Sequence, residues 1–157
     1  MPLRKLNVRS LKPIGCDHGA PIKWEIADVG RNLGSETIGL VVQTVRPGYQ
    51  SSRRHRHLFQ EEILVVMSGQ GTLLHGEERI PVGPGDCVCY LAGDPEAHTF
   101  QNTGRTDDLV IWAFGNRVPH EVCIYPDQGV AFVEGLGAEV PLDQVIPSEW
   151  TEERRKR

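Results

Sequence analysis

At 157 residues the chain has room for one domain and one core, and 17 glycines with 11 prolines point to many short elements separated by turns. A net charge of −4 gives no general pull toward nucleic acid or anionic membranes. No apolar run reaches the roughly eighteen residues of a membrane helix, and the start, MPLRKLNVRSLKP, lacks the apolar stretch of a secretory leader. A cytoplasmic protein with no nucleic-acid or membrane partner is expected.

In chain order, residues 1–24 read as an N-terminal arm with a turn over 15–19. Short apolar or alternating runs follow at 22–27, 37–45, 61–67, 71–75, 79–82, 86–91, 98–101, 109–114, 121–125 and 130–134. Turn clusters separate them, among them Arg46-Pro47-Gly48, Ser68-Gly69-Gln70-Gly71, Gly83-Pro84-Gly85-Asp86 and Gly93-Asp94-Pro95. Strands at this spacing with turn signals between them predict an all-β sandwich or barrel over 25–135. No 3.6-residue period interrupts that region. The one helix expected lies in the 136–157 tail, over 148–156, with Ser148 as its cap and Glu152 and Glu153 in its first turns.

Cys16, Cys87, Cys89 and Cys123 match no zinc-finger spacing. Neighbours at i and i+2 of one strand rarely reach disulfide geometry, so Cys87 and Cys89 are expected as reduced, partly buried core residues on one face.

The chemistry concentrates around His55-Arg56-His57. On an extended strand the two imidazoles share a face and stand about 7 Å apart, able to converge on one ion. A carboxylate soon after, at Glu61 or Glu62, would add a charged oxygen to two neutral nitrogens, a donor set for a first-row divalent metal. Glu62 is preferred because its parity turns Leu64 and Val66 inward beside it. His18, His75 and His120 read as surface or hydrogen-bonding histidines.

The whole run Pro47-Gly48, His55-x-His57-x4-Glu62-x6-Gly69 resembles the first motif of the cupin superfamily. The stretch from Gly85-Asp86 to His98-x3-Asn102 is similar to the second, with Leu91 at a usual proline position and two extra residues in the loop before His98. Arg31-Asn32-Leu33-Gly34 and Ala113-Phe114-Gly115-Asn116-Arg117, followed by Tyr125-Pro126-Asp127, resemble small single-domain bacterial cupins. The resemblance spans about residues 24–135 and implies a double-stranded β-helix, the cupin jelly-roll barrel. It also implies one divalent ion (Fe, Mn, Ni or Zn) on His55, His57, Glu62 and His98, and a homodimer that could exchange its 1–24 arm.

Three histidines and one carboxylate leave positions open on a six-coordinate ion, as catalytic sites do. The leading expectation is a metalloenzyme acting on a small oxygen-rich or carboxylate substrate, of dioxygenase, decarboxylase or isomerase/lyase type. The alternative is a non-catalytic cupin that binds a sugar or acid; a sensory domain ranks third, since no helix-turn-helix pattern is present. Catalytic residues beyond the ligands are unassigned. Strand parity offers Gln43, Arg53, Phe100 and Trp112 as pocket residues, with Tyr90 a further wall, and places Arg54 and Arg56 facing solvent or a dimer partner.

Overall fold

A computed structural model describes residues 2–146. The helix expected over 148–156 lies outside the described residues. Within them the regular structure is mostly strand: β1 (Ile14–Asp17), β2 (Lys23–Asp28), β3 (Ile38–Val45), β4 (Arg56–His57), β5 (Glu62–Ser68), β6 (Gly71–His75), β7 (Glu78–Val82), β8 (Cys87–Tyr90), β9 (His98–Asn102), β10 (Leu109–Asn116), β11 (Val122–Tyr125), β12 (Val130–Val133) and β13 (Ala138–Pro141).

One sheet has the order β1-β2-β3-β10-β5-β8. The opposing wall consists of two ladders, β13-β12-β11-β4 and β7-β6-β9. An antiparallel bridge between His55 and His98 joins them. Every named strand pair is antiparallel, including the long register of Leu109 against Val45 through Asn116 against Ile38. This is the all-β architecture expected from the strand spacing, in the two-walled jelly-roll form that the cupin resemblance implies.

The core follows from alternation. On β5, Glu62, Leu64 and Val66 turn inward while Ile63 and Met67 stay exposed. On β10 the inward set is Leu109, Ile111 and Ala113. With Val45, Leu73, Val82, Tyr90 and Phe100 these side chains form one cluster between the walls. Each large apolar member contributes roughly 1.5–3 kcal/mol of burial. Gly69 ends β5 at φ +84°, and a Cβ there would stand 2.5 Å from the Asp108 carbonyl oxygen. Only glycine lets the chain turn that closely under the start of β10.

Several local features differ from the sequence expectation. Part of the 15–19 turn is strand β1, which pairs with β2, and the turn itself moves on to His18–Pro21. A single helical turn, α1 (Val29–Asn32), follows β2; Asp28 caps it by accepting from the Arg31 N–H at 2.8 Å. One turn is too short to show a helical period. In the 136–157 segment, β13 adds an edge strand to β12.

Cys87 and Cys89 share a face as expected, but it is the outer one: both are exposed, while Val88 and Tyr90 face in. Their strand is an edge with one side solvated, so an apolar-looking run need not be buried. Arg54 does not face solvent. It precedes β4, outside the alternating stretch, and its guanidinium binds Asp127 at 2.6 Å and the Gly76 carbonyl at 2.7 Å.

Candidate metal centre

The site sits where the two ladders meet. His55 and His98 exchange backbone hydrogen bonds of 3.0 and 2.8 Å, which brings β4 and β9 together despite their separation in sequence. His57 follows on β4, where it pairs with Cys123 of β11. Glu62 enters from the opposing sheet. Gly115 stands beside it in the ladder, and a Cβ there would meet Gln60 Nε2 at 2.7 Å, so glycine permits the close entry of the 60–62 segment. Glu61 is exposed and faces Cys89 instead.

The imidazoles of His55 and His57 lie 5.0 Å apart between centroids, those of His55 and His98 4.8 Å. The donor atoms of His55, Glu62 and His98 all fall within 4.8 Å of one another, and so do those of His55, His57 and Cys123. The four residues picked from sequence are thus brought together as two overlapping groups that share His55. His55 Nδ1 donates to the Arg53 carbonyl at 2.8 Å, leaving Nε2 with the free lone pair. His98 Nε2 donates to Glu62 Oε2 at 3.2 Å, and the His98 ring stacks on Tyr90 at 3.7 Å.

Electrostatics reflect this crowding. Burial first, then the neighbouring His98 and His57, push the His55 imidazole down to about 3. Burial alone would raise Glu62, but the hydrogen bond from His98 and the facing imidazoles outweigh it and hold the carboxyl below its ordinary value. Burial pushes the Cys123 thiol up to about 12. Both ring nitrogens of His57 and His98 Nδ1 are buried without a hydrogen-bond partner. Unpaired buried polar atoms cost roughly 1–3 kcal/mol each, so a cluster of them marks a place shaped for a ligand.

Glu121 and Cys123 are neighbours of His57 that the sequence reading missed. The Glu121 side chain is 9% exposed and places Oε1 3.5 Å from His57 Nδ1. The Leu58 N–H donates to Oε1 at 3.0 Å, while Oε2 is buried with no partner. A cavity of about 410 Å³ reaches Glu62 and Glu121 and opens past Gln60, Arg117, Asp28 and Arg31. Its described arginines, Arg31 and Arg117, both contact Asp28, at 3.2 and 3.3 Å.

The expected pocket residues are placed elsewhere. Phe100 is 1% exposed in the core. Gln43 faces inward between Val41 and Val45, with Oε1 buried and unpaired, but does not border this cavity. Arg53 turns onto Tyr125, 3.7 Å above its ring, and pairs with Glu139 of β13. Trp112 lies on the outer face beside Val8, Leu11 and Val42, because β10 parity gives the inner face to Ile111 and Ala113. Among the described residues, His18, His75 and His120 join no donor group; they pack on Trp24, Tyr90 and Phe59.

The loop with the two extra residues folds back over β4, where the Gly93 N–H donates to the His57 carbonyl at 3.0 Å. The insertion therefore leaves His98 in place. No described helix is long and apolar enough to cross a membrane.

Known proteins share this fold. A candidate sugar phosphate isomerase of Acidithiobacillus ferrooxidans superposes with a TM-score of 0.81 at 25% identity, covering 90% of this chain and 92% of that one. A sugar phosphate isomerase of the cupin superfamily from Silicibacter pomeroyi gives 0.80 at 27%, covering 92% and 97%. Auxin-binding protein 4 of Zea mays is 30% identical over 103 residues, 60% of this chain and 48% of that protein. The chain spans about half the length of the curated relatives it matches. The cupin domain family model matches residues 41–114, from β3 to β10, which carry the three histidines and Glu62. With that match and the barrel it falls on, residues 41–114 form a cupin domain.

Proposed function

We propose that this cupin is a metal-dependent isomerase of a small polyhydroxylated carbonyl compound, a phosphorylated sugar by the likeness to the two isomerases. The observation that carries the reading is Glu121, a buried carboxylate with one oxygen held and the other free, bordering the same cavity as Glu62. A metal site alone suits oxygenation and decarboxylation as well. A second carboxylate able to take and return a proton favours interconversion of neighbouring carbonyl and hydroxyl carbons.

The ion, from the Fe, Mn, Ni and Zn group, would be held by His55, His57, Glu62 and His98, whose unpaired buried nitrogens fit such a guest. When bound it supplies Lewis-acid polarisation of a substrate oxygen. Glu121 removes the proton from the carbon beside the carbonyl and delivers it to the carbonyl carbon, while the neighbouring hydroxyl proton passes to the carbonyl oxygen, so no oxidant or reductant is consumed. The Arg53 carbonyl orients His55 through Nδ1, and Tyr90 fixes the His98 ring by stacking. Arg31 and Arg117 meet the anionic end of the substrate at the cavity rim by exchanging Asp28 for phosphate oxygens.

The reading extends to assembly and location. Ile63 and Met67 leave an apolar outer face on β5 that a second copy would cover, and four free thiols suit a reducing cytoplasm.

The test is turnover of an aldose and ketose phosphate panel after loading with each of the four metals. Glu121→Gln is expected to lower kcat at least about 100-fold with metal content unchanged. Tight binding across the panel without turnover would overturn the enzyme and favour the sugar-binding alternative.

A further inference from the structure

Cys123 has no part in that reaction, yet it belongs to the site. It is 5% exposed and lies against His57 in the β11–β4 ladder. Its sulfur and one nitrogen each of His55 and His57 lie within 4.8 Å of one another. Donors on one ion with bonds of about 2.0–2.3 Å stand roughly 3–4 Å apart, so side-chain shifts of about an ångström would close this trio on an ion.

His57 falls in the trio with Cys123 and not in the trio of His55, Glu62 and His98. Both of its ring nitrogens are buried without a partner. His55 has only Nε2 free, since Nδ1 is committed to the Arg53 carbonyl. The two trios therefore compete for one ion through His55.

We propose that Cys123 is a further donor of the metal site, giving soft divalent ions such as zinc, cobalt or cadmium a thiolate position with His55 and His57. The inference rests on reading the His/Glu cluster as a metal centre. Hard ions such as manganese prefer the carboxylate side at Glu62, and soft ions the sulfur side. Binding through sulfur breaks the S–H bond, forms a metal–sulfur bond and releases one proton to solvent. The identity of the ion then sets where it sits and how near it lies to Glu62.

The test is a Co(II) titration of the full chain carrying Cys16→Ser, Cys87→Ser and Cys89→Ser, so that Cys123 is the remaining thiol. The expected result is a near-ultraviolet sulfur-to-cobalt charge-transfer band saturating at one cobalt per chain. Adding Cys123→Ser should abolish that band, keep the visible ligand-field bands and weaken cobalt about tenfold or more, while leaving manganese affinity within about twofold. Cys123→Ala replaces the serine variant if that does not fold, and the band in the parent protein is readable without either. Ligand-field bands with no charge-transfer band in the parent overturn the thiolate donor and leave the metal centre standing. No cobalt uptake in either protein overturns both.

Discussion

Asn102 ties together the end of the barrel beneath His98, and its removal has a calculable cost. The residue is 0% exposed. Its Nδ2 donates to the carbonyls of Val45 at 2.7 Å and Asp107 at 2.9 Å, and its Oδ1 accepts from the Gly104 N–H at 2.9 Å. The amide thereby links β9 to the end of β3 and to the connection into β10. Three bonds at about 1 kcal/mol each, plus a share of the desolvation penalty for the buried Val45 carbonyl, make Asn102→Ala cost roughly 3–5 kcal/mol. Against a typical domain stability of about 5–15 kcal/mol this is a large fraction. Urea unfolding of the metal-free protein should show a lower midpoint at unchanged slope. Asn102→Asp keeps the acceptor for Gly104 but loses both donors and buries a charge, so it should be at least as damaging. A loss below about 1 kcal/mol for alanine, or an aspartate variant as stable as the parent, would refute this account of the amide.

Further expectations follow from the site. His55 titrates near 3 in the fold against about 6.5 ordinarily, so between those values the unfolded chain binds the extra proton. Metal-free stability should therefore be fully present above about pH 6.5 and decline toward pH 3, by up to about 1.4 kcal/mol per pH unit from this group. Depression of Glu62 adds to the loss only below the ordinary carboxylate range. Urea titrations at pH 7, 5 and 4 check this, and His55→Gln should flatten the decline; equal slopes would contradict it. Arg31 is 72% exposed, so Arg31→Ala should leave folding intact and raise KM for a phosphorylated substrate severalfold with kcat nearly unchanged. An unchanged KM would remove the arginine rim from substrate recognition.

Much of the fold was legible because the barrel strands are alternating runs cut by glycine and proline turns. β2, β3 and β5 through β12 fall within two residues of the runs read from sequence. The elements missed are those whose existence depends on a partner. β1 and β13 are short edge strands stabilised by pairing with β2 and β12, and α1 is one turn held by the Asp28 cap. Face assignment failed where two periods conflict with burial: Trp112 and Cys89 look like interior residues by type, yet β10 and β8 turn them outward. His55, His57 and Glu62 stood out as candidates because parity and spacing are local, whereas His98 came only from the resemblance of its stretch to the second cupin motif. Glu121 and Cys123 did not stand out, because their place beside His57 comes from the pairing of β11 with β4 across some 65 residues of chain, a register that local periodicity does not specify. The available signal was alternation itself, which puts Glu121, Cys123 and Tyr125 on one face.

The most direct test of the central claim is metal content of the purified protein after loading with Fe, Mn, Ni and Zn in turn, beside His57→Ala. The account predicts about one ion per chain with at least one of these metals, and an affinity at least about 100-fold lower in the variant, its other donors being retained. An empty site under every loading condition, or full retention by His57→Ala, would contradict it.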